Sequence, residues 1–367
     1  GSSSFTYTGS AQGPATADVT GSTGARTYSY SGTGSTSYSA SSTAPTNVGT
    51  YEVIASVAAD ANYNAATSAA LAFSITKADQ TITFGALSTL TYSPSGTSNL
   101  SASSSSSLTV TYSSSNTAVA TVSGSTLSII SAGSTTITAS QAGNDNYNAA
   151  TSVTQSLTVS KANSSITATG SSSFTYTGSA QGPATADVTG STGARTYSYS
   201  GTGGTSYSAS STAPTNVGTY EVIASVAADD NYNAATSAAL AFSINKANQA
   251  ITFDALSELT YSPSGTSNLS ASSSSGLTVT YSSSNTAVAT VSGSTLSIIG
   301  AGSTTITASQ AGNDNYNAAS VVSQTQVINK ANQTITFGAL SNLTYSPSGT
   351  SNLSASSSSG LTVTYSS

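Results

Sequence analysis

Histidine, cysteine, methionine and tryptophan are all absent from this sequence, and only 5% of its 367 residues are charged. Without histidine or cysteine, the commonest general bases, thiolate nucleophiles and soft-metal ligands are missing. Serine and threonine hydroxyls are abundant, but no histidine or suitably positioned lysine is available to activate one. The composition therefore predicts that the chain is not an enzyme and that it needs no cofactor.

Charge and long apolar runs are also scarce. The net charge is only −6, and no basic patch of the kind that binds nucleic acid occurs. No run reaches the ~18 apolar residues that a membrane helix needs, so no membrane span is expected in this segment. The lack of cysteine means that folding does not depend on disulfides, and this permits secretion.

Repetition is what the sequence has instead. Residues 1–76 recur as residues 170–245 with three differences, and the dipeptide Lys-Ala begins at positions 77, 161, 246 and 330. Spacings of 84, 85 and 84 residues suit a small β-sandwich better than a helical repeat. We therefore predict five segments of two kinds: A1 (1–76, N-terminally truncated relative to its copy), B1 (77–160), A2 (161–245), B2 (246–329) and the partial B3 (330–367).

Apolar residues alternate with serine and threonine along most of the chain, which is typical of strands with one buried face. A helical period of 3.6 residues is absent. In A1 the alternation predicts strands near residues 5–7, 15–19, 26–30, 37–40, 51–57 and 71–75. In B1 it predicts strands near residues 82–84, 108–112, 119–122, 127–130, 137–139 and 153–159. The expected fold is an all-β tandem array of antiparallel sandwiches in an extended rod.

Short motifs add a family resemblance to this pattern. In B1, residues 114–124 (Ser-Ser-Asn-Thr-Ala-Val-Ala-Thr-Val-Ser-Gly) and 132–139 (Ala-Gly-Ser-Thr-Thr-Ile-Thr-Ala) resemble the bacterial immunoglobulin-like group 2 module. In A1, residues 7–9, 49–53 and 73–78, together with Pro45, resemble the MBG-type repeats of very large secreted bacterial proteins. The resemblance covers essentially the whole chain. It implies Ig-like sandwiches in a bacterial cell-surface adhesin, where such modules serve mostly as spacers.

An acidic-amide motif recurs in both kinds of segment, just before the last strand. It reads Asp-Ala-Asn-Tyr-Asn at 60–64, Asp-Asp-Asn-Tyr-Asn at 229–233, and Asn-Asp-Asn-Tyr-Asn at 144–148 and 313–317. Calcium is one hypothesis, because hard cations take carboxylate and amide oxygens, but one or two carboxylates are few for six to eight ligands. The favoured interpretation is a turn that caps its own backbone, with the tyrosine at the sandwich edge. No metal site is predicted, and the calcium candidates are Asp60, Asp145, Asp229, Asp230 and Asp314.

The few basic residues are expected at the surface. The lysine of each Lys-Ala pair could form an amide with an asparagine, assisted by Glu52 or Glu221, but such a bond needs a buried lysine. A solvated linker lysine is the favoured interpretation. Arg26 and Arg195 are likewise expected to be strand-surface charges.

Tyrosine is abundant, with 20 residues, and could in principle stack on sugars. Tyr28, Tyr30 and Tyr38 cluster in A1, and Tyr197, Tyr199 and Tyr207 are their copies in A2. However, Tyr28 and Tyr30 share one face of a predicted strand, and in a chain poor in leucine and phenylalanine that face is expected to be the core.

These observations favour a structural stalk or spacer of a secreted or cell-surface bacterial adhesin, which projects a distal domain. One alternative is a subunit of a self-assembling extracellular filament or sheath, because low charge allows close lateral approach. Another is a surface module that binds carbohydrate. The expected partners are neighbouring modules of the same chain and, under the alternatives, lateral copies or surface glycans.

Overall fold

A computed structural model describes residues 2–367, and β-strand is the only regular secondary structure among them. Within those residues no helix is long and apolar enough to cross a membrane. The predicted all-β fold class is confirmed. Its origin is the period-two placement of Val, Ile, Leu, Phe and Tyr between small hydroxylated residues, which fits a pleated sheet with one buried face.

Residue contacts divide the chain into two compact units. Unit 1 comprises Gly1–Thr167, Asp187–Thr196 and Ser225–Ser237, and unit 2 comprises Ala168–Ala186, Tyr197–Ala224 and Ala238–Ser367. The division passes through the A2 segment. All strands of A1 and B1 lie in unit 1, and all strands of B2 and B3 lie in unit 2.

A1 contains a five-stranded sheet with an aromatic core. Tyr30, Tyr51, Val53, Phe73 and Ile75 are buried against one another. The Tyr51 and Phe73 rings stack with centroids 5.5 Å apart, and Tyr30 meets Phe73 edge-on at 6.2 Å. The sheet order is β1-β5-β3-β2, with β4 beside β3, and only the β1–β5 pair is parallel. Its strands are β1 (Ser4–Thr6), β2 (Arg26–Gly32), β3 (Gly49–Val57), β4 (Ala66–Thr67) and β5 (Leu71–Thr76).

B1 is a sandwich with an aliphatic core. Its strands are β6 (Ile82–Phe84), β7 (Leu90–Thr91), β8 (Thr97–Asn99), β9 (Ala102–Ser104), β10 (Thr111–Ser114), β11 (Ala120–Ser123), β12 (Thr126–Ile129), β13 (Gly133–Ser140) and β14 (Val153–Ser160). One sheet has the order β10-β13-β14-β7 and a second has the order β11-β12-β8, while β6 pairs with β9. Leu127 from the second sheet and Ile137 and Leu157 from the first belong to one buried cluster, so the two sheets face each other across the core.

A2 repeats the strand order of A1 and adds a strand pair. Its strands are β15 (Ser165–Thr169), β16 (Ser173–Thr175), β17 (Thr185–Thr189), β18 (Arg195–Thr202), β19 (Gly218–Val226), β20 (Ala235–Thr236) and β21 (Leu240–Asn245). The main sheet has the order β16-β21-β19-β18, and β15 pairs with β17 in a separate two-stranded sheet. Within residues 2–76 the structure describes no counterpart of this two-stranded sheet.

B2 repeats B1 strand for strand, and B3 contains one strand pair. In B2, β23-β30-β29-β26 face β24-β28-β27 across a core that matches B1 except that the buried Gln326 takes the place of Leu157 and Ile328 that of Val159, and β22 pairs with β25. The B2 strands are β22 (Ile251–Phe253), β23 (Leu259–Thr260), β24 (Thr266–Asn268), β25 (Ala271–Ser273), β26 (Thr280–Ser283), β27 (Ala289–Ser292), β28 (Thr295–Ile298), β29 (Gly302–Ser309) and β30 (Val322–Asn329). B3 contains β31 (Ile335–Phe337) paired with β32 (Ala355–Ser357).

Three predicted strands differ from the structure. Residues 15–19 and 37–40 are not strands in A1. Residues 37–40 instead follow a turn in which the Thr36 amide bonds to the Thr33 carbonyl oxygen. Their contact with β2 is limited to the Gly32 amide bonding to the Tyr38 carbonyl oxygen and an isolated bridge between Ser41 and Tyr30. Residues 108–110 alternate in burial as predicted, but β10 begins at Thr111, because its partner strand β13 ends at Ser140.

Candidate functional site

The acidic-amide motif forms the predicted turn in every copy. The side chain of the first motif residue accepts hydrogen bonds, through Oδ1, from two backbone N–H groups later in the motif. Asp60 Oδ1 accepts from the amides of Asn62 and Tyr63 at 2.8 and 2.9 Å. Asn144 Oδ1 accepts from the corresponding amides of B1 at 2.9 Å each, and Asp229 and Asn313 repeat the arrangement. Aspartate and asparagine serve equally here because both offer a short side-chain oxygen.

The A-type turns carry an additional anchor. Asp60 Oδ2 accepts hydrogen bonds from the Thr23 backbone amide at 2.7 Å and from the Thr23 hydroxyl at 3.1 Å. In unit 1, Asp229 Oδ2 bonds to Thr192 in the same way, at 2.8 and 3.1 Å. These donors, above all the threonine amide, hold the pKa of Asp60 well below its usual range and lower the pKa of Asp229 to about 2.

The calcium candidates are placed in two different settings. In Asp60 and Asp229 both carboxylate oxygens already accept hydrogen bonds from the turn and from a neighbouring loop. Asp145, Asp230 and Asp314 are at the second position of their turns and are not buried. Within residues 2–367 no three Asp, Glu, His or Cys side chains converge in a way that could hold a metal ion.

The asparagine at the third position of the motif reaches the preceding segment. In unit 1, Asn146 Oδ1 accepts from the Val48 amide of A1 at 3.0 Å, and Asn146 Nδ2 donates to Asn47 Oδ1 at 3.2 Å. Asn231 Oδ1 accepts from the Ala132 amide of B1 at 2.8 Å. In unit 2, Asn315 makes the same two bonds, with Val217 and Asn216.

The motif tyrosine makes a matching aromatic contact. In unit 1, the Tyr147 ring meets the Tyr7 ring of A1 edge-on, with centroids 5.2 Å apart and an interplanar angle of 82°. Also in unit 1, Tyr232 meets Tyr92 of B1 at 5.4 Å and 83°. In unit 2, Tyr316 meets Tyr176 at 5.3 Å and 81°. The remaining motif tyrosine, Tyr63, is 53% exposed and makes no ring contact with another aromatic side chain among residues 2–367.

The Lys-Ala dipeptide at the segment boundary makes hydrogen bonds to the main chain of the same turn. Lys77 Nζ donates to the Asn144 carbonyl oxygen at 2.7 Å. The Ala78 amide bonds to the Asn146 carbonyl oxygen, and the Asn148 amide bonds back to Ala78. Lys161 and Lys246 donate to the first carbonyl of their own turns at 2.5 and 2.7 Å. Lys77, Lys161 and Lys246 are exposed, as predicted, and each donates to a main-chain carbonyl oxygen and not to an asparagine side chain.

We call these contacts a junction cluster: the motif asparagine and tyrosine, the linker lysine and the residues of the preceding segment that they touch. The turn itself was predicted from sequence, but its contact across the segment boundary was not. Two signals could have suggested it. The same five-residue motif recurs in two otherwise unlike segments, and every partner tyrosine follows a threonine, in Thr6-Tyr7, Thr91-Tyr92 and Thr175-Tyr176.

The tyrosines considered for sugar binding are largely structural. Tyr30 is 3% exposed and its hydroxyl donates to the Pro14 carbonyl oxygen at 3.0 Å, so the prediction that it belongs to the core is confirmed. Tyr38 is half-buried and lies at one side of a polar groove of about 800 Å³ in unit 1, which Asp145 and Asn146 also line. Unit 2 has an equivalent groove of about 550 Å³ beside Tyr207 and Asp314. Arg26 and Arg195 are exposed on their strands, as expected.

The geometry defines a tandem β-sandwich protein whose conspicuous polar contacts lie between consecutive segments. Residues 1–79 and 165–248 each match the MBG domain family, which confirms the MBG resemblance of the A segments. No curated protein sequence matches the chain.

Among solved structures, Drosophila N-cadherin EC1-4 is 10% identical, with 89% of this chain and 98% of that chain covered, at a TM-score of 0.25. Domains 1-6 of the surface layer protein SbsC are 15% identical, with 84% and 51% covered, at a TM-score of 0.23. The titin I-band fragment I67-I69 is 13% identical, with 68% and 99% covered, at a TM-score of 0.26.

Proposed function

We propose that this chain is a structural stalk segment of a bacterial cell-surface or secreted protein, which holds a distal domain away from the surface. The observation that supports it most directly is the recurrence of one junction cluster between A1 and B1, between B1 and A2, and between A2 and B2. Each copy combines the third-position asparagine with the tyrosine pair and the linker lysine.

A spacer has to resist folding back at its linkers, and the junction cluster supplies that resistance. An edge-to-face ring pair contributes ~0.5–1.5 kcal/mol beyond its area burial, and a neutral hydrogen bond ~0.5–1.5 kcal/mol. These are small energies, but the two sides are covalently joined. The docked arrangement therefore competes only against an intramolecular undocked state.

Composition supports the same role. A segment built without cysteine or methionine presents no thiol or thioether to oxidants outside the cell. The chain also alternates unlike segments, A with B. This order reduces the chance that neighbouring near-identical sandwiches exchange strands, and a lower refolding yield of an A-A tandem than of an A-B tandem is the expected result.

The test is a deletion that preserves the junction chemistry. Removing residues 77–245 from the full protein deletes B1 and A2 and joins A1 directly to B2. A1 has the same contact residues as A2, so the A1–B2 junction can form the contacts that A2 normally makes with B2. The projection should shorten by one A-B period while binding by an isolated tip domain stays unchanged. Loss of tip binding, or comparable binding of the target surface by the segment alone, contradicts the proposal. Electron microscopy of native material distinguishes the filament alternative, because a regular lateral lattice replaces isolated rods.

A further inference from the structure

Two grooves of the same construction lie where an A segment meets the B segment that follows it. The groove in unit 1, of about 800 Å³, is lined by residues of the A1 stretch 35–51 and by Asp145 and Asn146 of B1. The groove in unit 2, of about 550 Å³, lies between A2 and B2, and every residue that lines it has an identical counterpart in the unit 1 groove. Both volumes are within the ~300–1,000 Å³ of small-molecule sites. The groove is therefore a recurring feature of the A–B pair.

The walls of the groove are fixed by contacts within the protein. In unit 1, the Tyr38 hydroxyl donates to the Thr43 carbonyl oxygen at 2.7 Å, and the Tyr38 ring meets the Tyr51 ring edge-on with centroids 5.9 Å apart. Across the segment boundary, Asn146 Oδ1 accepts from the Val48 amide at 3.0 Å. Unit 2 repeats these three contacts at the equivalent residues. Walls that are already ordered lower the entropic cost of binding a ligand.

Several polar groups in the groove are left without a protein partner. Among residues 2–367, neither the Asp145 carboxylate nor the Ser37 hydroxyl takes part in a hydrogen bond, and the Asn47 side chain accepts at Oδ1 while its Nδ2 donates to no protein group. The equivalent groups are free in unit 2 as well. Each groove thus offers a carboxylate, an amide donor and a hydroxyl beside a half-buried tyrosine ring.

This combination fits a neutral saccharide. A sugar ring has an apolar C–H face that packs on an aromatic ring, and its hydroxyls donate to a carboxylate and accept from an amide. A single carboxylate among hydroxyls and amides is too little charge to select a cationic peptide, and it repels an anionic polymer. A metal ion is a poor fit, because no three metal-ligating side chains converge within residues 2–367.

We propose that the A–B groove binds a segment of a neutral polysaccharide, which packs on Tyr38 or Tyr207 and hydrogen-bonds to the aspartate and the asparagine amide of the same groove. The site is complete only while the A and B segments are docked, so this inference rests on the junction clusters of the proposed stalk. Each groove is open to solvent and offers one accessible ring, so binding at one site is weak and recognition of a target stays with the distal domain. Repetition along the stalk adds these weak contacts together.

The test is saturation-transfer-difference NMR on the full chain, which detects weak binding through the protons of the ligand. The probes are a glucose hexamer and an N-acetylglucosamine hexamer, which distinguish a plain hexose polymer from an amino-sugar polymer as the source. A galacturonate hexamer is the anionic control. We expect transfer to at least one neutral hexamer, and at least about threefold less transfer to the galacturonate hexamer.

Variants of the aspartates separate the groove from the rest of the surface. Asp145→Ala combined with Asp314→Ala removes the carboxylate from both grooves, and neither side chain bonds within its turn, so the fold is retained. Transfer to the neutral hexamer should fall at least about threefold, as loss of a hydrogen bond to a charged group predicts. Asp230→Ala is the matched control, because Asp230 is exposed at the same position of the A2 turn but lines neither groove. It should leave the transfer unchanged.

Variants of the tyrosines test the aromatic wall. Tyr38→Leu with Tyr207→Leu keeps an apolar side chain in each groove but removes the ring, and it should abolish most of the transfer. Tyr38→Phe with Tyr207→Phe keeps the ring and should retain it.

Three results overturn the proposal: no transfer to either neutral hexamer, equal transfer to the galacturonate hexamer, or an unchanged signal in the double aspartate variant. Spin-label distances across the unmodified A1–B1 junction then show which proposal has failed. A narrow distribution confines the failure to the groove, whereas a broad one removes the docked junction on which the stalk also depends.

Discussion

Replacing Tyr147 by alanine should loosen the A1–B1 junction while leaving both segments folded. The Tyr147 ring contacts the Tyr7 ring edge-on, whereas the Tyr147 backbone bonds within the turn to Asn144, and the linker residue Ala78 bonds to the neighbouring Asn146 and Asn148 backbones. The variant therefore removes the aromatic half of the junction cluster and preserves the Asn146 half.

The magnitude follows from the ring pair. Loss of ~0.5–1.5 kcal/mol raises the ratio of undocked to docked junction roughly 2- to 13-fold. Adding Asn146→Ala removes the two hydrogen bonds to Val48 and Asn47 and costs a further ~1–3 kcal/mol. The double variant should therefore have a largely undocked junction.

Pulsed electron paramagnetic resonance measures this directly. Spin labels on Ser10→Cys in A1 and Ser125→Cys in B1, both exposed positions, report the distance distribution across the junction. We expect one narrow distribution for the unmodified junction, a broader one for Tyr147→Ala and the broadest for the double variant.

Tyr63→Ala is the matched control, because the same turn in A1 presents a tyrosine that is 53% exposed and has no aromatic partner. This control should leave the distribution unchanged. An unchanged distribution in Tyr147→Ala, or equal broadening in the control, would refute the reasoning that the ring pair orders the junction.

Three further predictions follow from the turns and the buried amides. The pKa of Asp229 in the folded state is lowered from 3.8 to about 2. The ionised Asp229 carboxylate therefore stabilises its turn fully above pH 3.8, and this stabilisation is lost as the pH falls toward about 2. Hydrogen exchange of the Tyr232 amide should therefore accelerate in this acid range, while the turn capped by the uncharged Asn144 stays protected. The thermal midpoint of the whole chain should vary little between about pH 5.5 and 8.5. Removing divalent cations with EDTA should change neither the thermal midpoint nor the scattering profile, and a marked drop in either would restore the calcium hypothesis. Gln80→Ala should lower the free energy of unfolding of B1 by about 2 kcal/mol or more in a denaturant titration, because Gln80 is 6% exposed and hydrogen-bonds to the side chains of Ser104 and Gln141. Gln333 is the exposed counterpart in B3, and Gln333→Ala should cost under about 0.5 kcal/mol.

Local pattern predicted the strands whose side chains alternate over several residues. Strands β3, β5, β13 and β14 agree with the predicted positions, because each has an apolar face that can be buried in only one register. Strands β11 and β12 match the strands predicted near residues 119–122 and 127–130, and they pair as a hairpin because Gly124 between them adopts the left-handed conformation with φ 58°.

The failures concern pairing across distance. Residues 16–20 and 185–189 are identical, so no local rule could assign a strand to one and not the other. The neighbouring strand decides, since a lone extended segment gains neither main-chain bonds nor side-chain burial.

Sequence predicted the form of the acidic-amide turn but not its role. Capping by Asp60 or Asn144 is local and follows from residue type. Asn146 contacts Asn47, about 100 positions earlier in the chain, and Tyr147 contacts Tyr7, about 140 positions earlier. Such long-range contacts depend on how the segments pack against each other.

The central claim, that junction clusters hold the segments of a spacer in extended order, is tested most directly by small-angle X-ray scattering of the whole chain. The unmodified chain should have a maximum dimension beyond about 100 Å, as four and a half sandwiches placed end to end require. A variant with Tyr147→Ala, Tyr232→Ala and Tyr316→Ala should give a more compact and more heterogeneous profile, whereas Tyr63→Ala should not. A globular profile for the unmodified chain, or identical profiles for the unmodified chain and the triple variant, would contradict the account.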